Sequence, residues 1–288
     1  LRSDMRETMT TSETTVAPLT LSFMSANYVS AALGYGAADD WGPFDEATNE
    51  AFAPIETFDE RFRAVLATIA GAGFEALDLW VAHLNWRWAT PDHVRLARAA
   101  LDDHKLRVVS LAGNFGSTAA ELDTACRLAA ALDVDLLGGM GDVLRTDLPG
   151  AAAVLRDHGV RFGYENHPEH DPSQVLELIG DDADVLGATV DTGWFATHGY
   201  DAVRAIGDLR ERLFYVHLKD VERRGEHVTC AHGTGCVDIE GCVDALLSLG
   251  YDGALSVEHE PYDRDPTTEC VRMREALQAH LERATGGE

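Results

Sequence analysis

Short apolar runs recur along the chain, separated by stretches in which apolar positions return every three or four residues. The runs at 18–25, 74–80, 106–111, 134–139, 160–165, 185–191, 213–218 and 253–258 read as strands buried on both faces, the form that parallel strands take. The intervening stretches read as helices. Phe62, Val65, Leu66 and Ile69 fall at i, i+3, i+4 and i+7 on one face, closed by Gly71 and Gly73. Thr90-Pro91 supplies a cap and a first-turn proline for a helix to about His104. Thr118 with Glu121, and Asp171-Pro172 with Gln174, are capping pairs for helices reaching Leu132 and Ile179. Further helices are expected over 148–158, from about Tyr200 to Ile206, along the face of Ile239, Val243, Leu246 and Leu247, and from about Thr267 to Arg283.

Eight strand–helix units in 288 residues predict an α/β chain folded as a single-domain (β/α)8 TIM barrel over residues 17–288. A doubly wound sheet would need a glycine-rich phosphate turn after an early strand. The first strand is followed instead by Ser25-Ala26-Asn27-Tyr28, and no GxGxxG occurs. Residues 1–16, rich in Ser, Thr, Glu and Arg, read as a disordered leader without a signal-peptide core. Residues 26–56 form a long Gly-, Ala- and Asp-containing segment. In a compact domain, a loop of that length is usually functional. Tyr28, Tyr35, Trp41 and Phe44 are expected to close over a small ligand, or the segment is a surface excursion with its own short helix.

Four of the strands end in residues that bind divalent metals. Strand 160–165 ends at Glu165, strand 185–191 at Asp191, strand 213–218 carries His217, and strand 253–258 ends at Glu258. In a closed parallel barrel, the C-terminal strand ends converge on one mouth. Three carboxylates and one imidazole form an oxygen-rich site that suits Mn2+ first, with Mg2+, Co2+ or Zn2+ as alternatives. Three anionic ligands would repel one another without a bound dication. Further polar and aromatic residues follow the strand ends: His83, Asn114, His167, Trp194, His198, Lys219, Arg223 and Glu260. Together they suit a polyhydroxyl small molecule, and they are the expected substrate-binding set. Lys219 is one of only two lysines and could alternatively pair with a barrel carboxylate such as Asp220.

Composition narrows the partners. Twenty-three Lys and Arg against 49 Asp and Glu give a formal charge of −26, which repels nucleic acid. No apolar run is long enough to span a membrane. The acidic, lysine-poor balance fits either a salt-adapted cytoplasm or a genome favouring Arg and Asp codons. Five cysteines at 126, 230, 236, 242 and 270, with no CxxC pair, read as free thiols in a reducing cytoplasm. A homo-oligomer is compatible with such a barrel.

The segments FGYENHPEHDPS (162–173), GATVDTGWFATHGYDA (187–202), FYVHLKDVERR (214–224) and GTGCVDIEGCVDALLSLGYDGALSVEHEP (233–261) resemble the xylose isomerase-like TIM-barrel superfamily, in its sugar phosphate isomerase/epimerase branch. In the N-terminal half, LDLWVAHL (77–84) matches best. The resemblance implies a metal held by Glu165, Asp191, His217 and Glu258. It also implies that Glu165 and Glu258 act as acid and base on a sugar or cyclitol ketone, isomerising or epimerising it. The related inosose dehydratases imply the alternative, a lyase on the same scaffold, which would dehydrate an inosose or cleave an oxidised glycoside. Ketose 3-epimerases of the superfamily carry a His where this chain has Trp194, and His198 is the nearby substitute. Their substrate-binding Arg is matched by Arg223.

Overall fold

The computed structural model describes residues 19–36 and 40–286. The predicted leader at 1–16 lies outside the described residues. Seven strands follow in order: β1 (Thr20–Met24), β2 (Ala76–Trp80), β3 (Arg107–Asn114), β4 (Leu136–Met140), β5 (Arg161–Glu165), β6 (Leu186–Asp191) and β7 (Leu213–Val221). A two-residue β8 (Thr229–Cys230) precedes the last barrel strand, β9 (Ala254–Glu258). Neighbours β1 to β7 pair in parallel, β7 pairs with β9, and β9 returns to β1, so the sheet closes into an eight-stranded barrel. β8 sits outside that circle, antiparallel on the extension of β7. The expected (β/α)8 barrel is therefore present, with a short hairpin added after its seventh strand.

The helices cover the outer face. Those flanking the early strands are α1 (Trp41–Phe52), α2 (Ile55–Gly71), α3 (Pro91–His104), α4 (Ala119–Ala131), α5 (Val143–Thr146) and α6 (Leu148–His158). They are followed by α7 (Pro172–Ile179), α8 (Thr192–Thr197), α9 (Ala202–Leu209), α10 (Ile239–Ser248) and α11 (Thr267–Thr285). The capping pairs act as their spacing implies. Thr90 and Thr118 each accept a hydrogen bond from the third helical N–H and form full capping boxes, with His93 and Glu121. Asp171 accepts from the N–H groups of Ser173 and Gln174. The helical faces bury Phe58, Phe62, Leu66 and Ile69 on α2, and Ile239, Cys242, Val243 and Leu246 on α10.

Among the described residues of 26–56, 26–30 are buried and Trp41–Phe52 form α1. Phe44 and Tyr28 are core residues. Phe44 packs on Tyr262 with ring centroids 4.9 Å apart, and Tyr28 stacks on Phe23 at 5.3 Å. Trp41 meets Trp80 edge-on at 5.4 Å. Of the four aromatics expected to close over a ligand, Trp41 and Phe44 lie on α1 and pack it against Trp80 and Tyr262, in keeping with the short-helix alternative, and Tyr28 packs on β1. Apolar burial of this kind fixes a helix in place more strongly than its own propensity does.

The barrel interior is unusual for being polar. Ser22, Asp78, Ser110, Thr189, Tyr215, His217 and Ser256 are all buried on the strands. Branched apolar residues usually fill such layers. Here Tyr215 Oη lies 2.8 Å from Ser22 Oγ, across the barrel. Asp78 Oδ1 accepts a short hydrogen bond from Ser110 Oγ, and its Oδ2 accepts one from Ser256 Oγ at 3.1 Å.

Candidate metal centre

Strand register brings the four expected ligands together. Asp191 on β6 is directly opposite His217 on β7, and Lys219 on β7 is opposite Glu258 on β9. Residues two apart on a strand share a face, so Tyr215, His217 and Lys219 all turn inward from β7. Among the described residues, Glu165, Asp191, His217 and Glu258 form the one cluster with metal-binding spacing. All four are buried, and one ligand atom from each falls within 4.8 Å of the others.

Two buried asparagines lock the strand ends. Asn166 donates through Nδ2 to Asp191 O at 3.0 Å and accepts from Asp191 N–H at 2.9 Å. Asn27 does the same beside Glu258, donating to Val257 O at 3.0 Å and accepting from His259 N–H at 2.7 Å. Each amide ties together two neighbouring strand ends that carry or adjoin ligands. Asp191 itself has two jobs. Its Oδ1 caps α8 by accepting from the Trp194 N–H at 2.8 Å, while its Oδ2 faces the cluster and accepts no hydrogen bond. Glu258 Oε2 likewise accepts none. Each of these oxygens has only an ion-pair contact at 3.3 Å, Lys219 Nζ for Asp191 Oδ2 and His217 Nδ1 for Glu258 Oε2, and buried carboxylate oxygens left without a hydrogen bond are costly, so two that face the same cluster fit a cation.

The charge balance points the same way. His217 Nδ1 lies 2.6 Å from Glu165 Oε1 and 3.3 Å from Glu258 Oε2. Its Nε2 lies 2.9 Å from Asp78 Oδ2. Lys219 Nζ sits 2.9 Å from Glu258 Oε1, 3.0 Å from Glu260 Oε2 and 3.3 Å from Asp191 Oδ2. Its stem crosses Gly193, where a Cβ would fall 2.7 Å from Lys219 Cγ. Burial disfavours the charged forms of His217 and Lys219, but the surrounding carboxylates outweigh it and hold both well above their ordinary pKa values. Burial likewise works against charge on Glu165, yet His217, His167 and Lys219 bring it down to about 2. Asp191 is pushed up to about 7 and Glu260 to about 8, chiefly by burial and with added repulsion from Glu258. One lysine and one imidazole cannot neutralise this many buried carboxylates. The donor set of three carboxylates and an imidazole fits a divalent ion of the Mn2+ or Mg2+ type.

The other expected site residues divide into two groups. His167 lies beside the cluster, its Nε2 3.8 Å from Glu165 Oε1. Trp194 is half-buried and meets His167 edge-on at 5.1 Å. His198 lies parallel to Trp194 at 5.9 Å, with Nε2 2.7 Å from the His167 carbonyl. Glu260 is held in the cluster by Lys219. His83 is a buried residue near the mouth, with Nδ1 3.1 Å from Ser25 Oγ and its ring against Phe52 and Trp80. Burial lowers its pKa to about 3, so it is a neutral imidazole.

Asn114 and Arg223 are not brought to the cluster. Asn114 is exposed, and its Oδ1 accepts from the Gly116 N–H at 2.9 Å, folding the turn after β3. Arg223 is 67% exposed on the β7–β8 hairpin, where it pairs with Glu226 at 3.0 Å. The hairpin extension of β7 turns it outward. Asp220 is not the partner of Lys219: it accepts from the N–H groups of Gly233, Gly235 and Val237, each at 3.0 Å, and shapes the following loop.

Sequence reasoning passed over Asp78, Asn27 and His227. An aspartate at the centre of an apolar strand was the available sign for Asp78. His227 comes from the hairpin and stacks on Trp194 with centroids 3.6 Å apart.

An eight-stranded parallel barrel with its polar side chains gathered at the C-terminal mouth is a TIM barrel. Within that class, the chain belongs to the xylose isomerase-like TIM barrel family, whose pattern it matches over residues 66–280. It is 30% identical over 139 residues to an uncharacterised protein of Methanocaldococcus jannaschii, covering 45% of each chain. It is 26% identical over 132 residues to an inosose dehydratase of Geobacillus kaustophilus, covering 38% of this chain and 42% of that one. These matches thus span about half the length of the relatives. Among solved structures, a xylose isomerase-like TIM barrel protein of Mycobacterium smegmatis in complex with magnesium superposes with a TM-score of 0.69 at 15% identity, covering 93% of this chain and 97% of that one. A D-tagatose 3-epimerase-like protein superposes with a TM-score of 0.66 at 17% identity, covering 92% and 98%.

Proposed function

We propose that this chain is a divalent-metal-dependent isomerase or epimerase of a sugar or cyclitol ketone. The convergence of Glu165, Asp191, His217 and Glu258 within 4.8 Å, in a barrel of this family, carries the reading. These four would hold the ion, with Mn2+ the first choice and Mg2+, Co2+ or Zn2+ alternatives. When bound, the dication supplies Lewis-acid polarisation of the substrate carbonyl. Glu165 and Glu258 extend from β5 and β9. One removes the proton from the carbon beside the carbonyl, and the other returns a proton to carbon. Return to the same carbon on the opposite face gives an epimer; return to the neighbouring carbon gives an isomer. His167, Trp194, His198, Lys219 and Glu260 form the surrounding wall that orients a polyhydroxyl ligand.

The similarity to an inosose dehydratase favours a second reading on the same scaffold. There the carbon beside the carbonyl loses its proton, and a neighbouring hydroxyl then leaves as water.

Incubation in D2O with Mn2+ and a panel of ketoses, ketose phosphates and inososes separates the two. Deuterium beside the carbonyl with no loss of mass supports isomerase or epimerase chemistry. Deuterium with loss of water moves the assignment to the lyase. A panel that exchanges no proton, with Mn2+ bound, counts against both.

A further inference from the structure

We propose that His227 is a further substrate-contacting residue, which offers its imidazole Nε2 as a hydrogen-bond acceptor to one hydroxyl of the sugar or cyclitol ketone. This role rests on the proposed function above. His227 lies on the hairpin between β7 and β8, and that hairpin is tied down on both sides of the barrel mouth. On the β6 side, the Gly225 N–H donates to Thr197 O, at the end of α8, at 3.0 Å. On the β9 side, Thr229 Oγ1 lies 3.0 Å from Nδ1 of His259, the residue after Glu258. Residues 222–226 and Val228 are exposed, and between them His227 is half-buried. Its ring lies flat on Trp194, with centroids 3.6 Å apart and planes 11° from parallel. The same indole meets His167 edge-on at 5.1 Å, and His167 Nε2 lies 3.8 Å from Glu165 Oε1. His227 therefore belongs to the wall of the mouth, near enough to Lys219, His167 and Glu165 for their charges to act on its ring.

The surroundings of Nδ1 decide which nitrogen is bare. Nδ1 lies 2.9 Å from Thr197 Oγ1. That hydroxyl has a single proton, and it donates to Gly193 O, one turn back on α8, at 2.9 Å. A carbonyl can only accept, so both contacts are hydrogen bonds only when the His227 Nδ1–H donates to Thr197. Burial, with the charges of Lys219 and His167, holds the His227 pKa down at about 2, so the ring is neutral and carries one proton. Nε2 is then left with its lone pair, and it makes no hydrogen bond among the described residues. A neutral acceptor is matched by an O–H group, and not by a carboxylate or phosphate oxygen, which can only accept. Polyhydroxyl ketones supply such donors. The indole stack and the Thr197 bond fix the ring before a ligand arrives, so little order is lost on binding.

Calorimetric binding of D-fructose and of scyllo-inosose to Mn2+-loaded wild type and His227→Phe tests this role. Phenylalanine keeps a ring on Trp194 and removes the acceptor. The dissociation constant of at least one ketone is expected to rise about 5- to 10-fold, as for the loss of one neutral hydrogen bond. Mn2+ affinity, from competition with a chelator, and the melting temperature are expected to keep their wild-type values, whereas a merely structural role would move both. For a ketone that is turned over, KM should rise by the same factor with kcat little changed. Nitrogen NMR of the His227 ring in Mg2+-loaded wild type is expected to show the proton on Nδ1. That measurement needs no variant, so it remains decisive if the substitution prevents folding. A folded His227→Phe that binds both ketones as tightly as wild type, a parallel fall in its Mn2+ affinity, or a His227 protonated on Nε2 overturns the role alone. A wild type that binds Mn2+ but neither ketone overturns the sugar-ketone reading, and this role with it.

Discussion

Lys219 Nζ lies 2.9 Å from Glu258 Oε1, and the two residues are register partners across β7 and β9. The same ammonium reaches Asp191 and Glu260. Lys219 therefore acts as a fixed internal cation beside the place where a dication would sit. Removing one partner of a buried ion pair leaves uncompensated charge and typically costs about 3–5 kcal/mol. Lys219→Met is expected to lower the melting temperature of the metal-free protein by several degrees. The rise in melting temperature on adding Mn2+ is expected to exceed that of wild type, since the dication then faces carboxylates with no competing ammonium. Thermal unfolding with and without Mn2+ checks both. An unchanged metal-free melting temperature would mean that the lysine is not the counter-ion.

The raised pKa values of Asp191 and Glu260, about 7 and about 8, give a direction to pH dependence. Each acid keeps its proton in the folded state after the unfolded chain has released it. The folded state therefore loses stability as pH rises from about 4, the unfolded carboxylate range, to about 8. The raised His217 adds to this, because its contribution is complete below the unfolded imidazole pKa and is lost as pH rises through the folded one. Glu165, depressed to about 2, acts oppositely: its contribution is present above the unfolded value and is lost on acidification. A dication needs deprotonated ligands, so its affinity rises through the same window. The melting temperature of metal-free protein is expected to fall between about pH 5 and about pH 8. The increment given by Mn2+ is expected to grow over that range, and Asp191→Asn should flatten the fall.

Glu165→Gln replaces a carboxylate by an amide of the same shape. If Glu165 moves a proton, turnover should drop by about 10²- to 10⁴-fold, with circular dichroism unchanged. The same is expected of Glu258→Gln. The mixing of the two roles can be resolved in D2O: the variant lacking the base should show no exchange, whereas the variant lacking only the returning acid can still wash deuterium into substrate. Retention of wild-type turnover by either variant removes that residue from the proposed chemistry.

Much of this architecture was legible in the chain because its causes are local. Strands bounded by turn residues and helices opened by Thr90-Pro91, Thr118 or Asp171 carry their own boundaries. The clustering of Glu165, Asp191, His217 and Glu258 was legible because each lies on a short apolar run, and the barrel topology converts that position into convergence. What was not legible depends on tertiary context. α1 begins at Trp41, after an Asp40 that makes no side-chain cap, and contains Gly42 and Pro43, so its helical character comes from seating Phe44 and Phe52 against the barrel. Arg223 reads as a mouth residue by its spacing from His217. The antiparallel pairing of β7 with β8 carries it onto an exposed hairpin position, where it pairs with Glu226. Asp78 and Asn27 act on partners more than a hundred residues distant, Ser256 and Val257; an aspartate inside an apolar strand was the one local sign of the first, and no local pattern marks the second.

Trp194 separates this chain from the ketose 3-epimerases, which the resemblance endows with a histidine at that place. Its ring stacks on His227 with centroids 3.6 Å apart. Its backbone N–H caps onto Asp191, and that bond survives any side-chain change. Trp194→Phe should therefore leave metal stoichiometry intact and raise KM several-fold, through loss of ring area worth roughly 1 kcal/mol. Steady-state kinetics alongside metal analysis distinguishes this from a loss of ligand geometry, in which metal content would fall as well.

Asn166 gives the sharpest test that ligand position depends on the strand ends being tied. Its amide satisfies both the N–H and the C=O of Asp191, at 2.9 and 3.0 Å, inside the protein. Asn166→Ala leaves both groups buried and unpaired, at about 1–3 kcal/mol each. The expected result is a clearly lowered melting temperature in metal-free protein. Because the freed segment is the one that carries Asp191, metal affinity should fall too, although Asn166 belongs to no ligand set. Asn166→Asp retains the acceptor for the Asp191 N–H but loses the donor to its carbonyl, and it adds a charge beside Glu165 and Asp191. It should restore little stability at neutral pH and recover some as the medium is acidified, when the added carboxyl can take up a proton and donate in place of the amide. A variant Asn166→Ala with wild-type stability and unchanged metal affinity would mean that the barrel alone, without this amide, sets the position of Asp191.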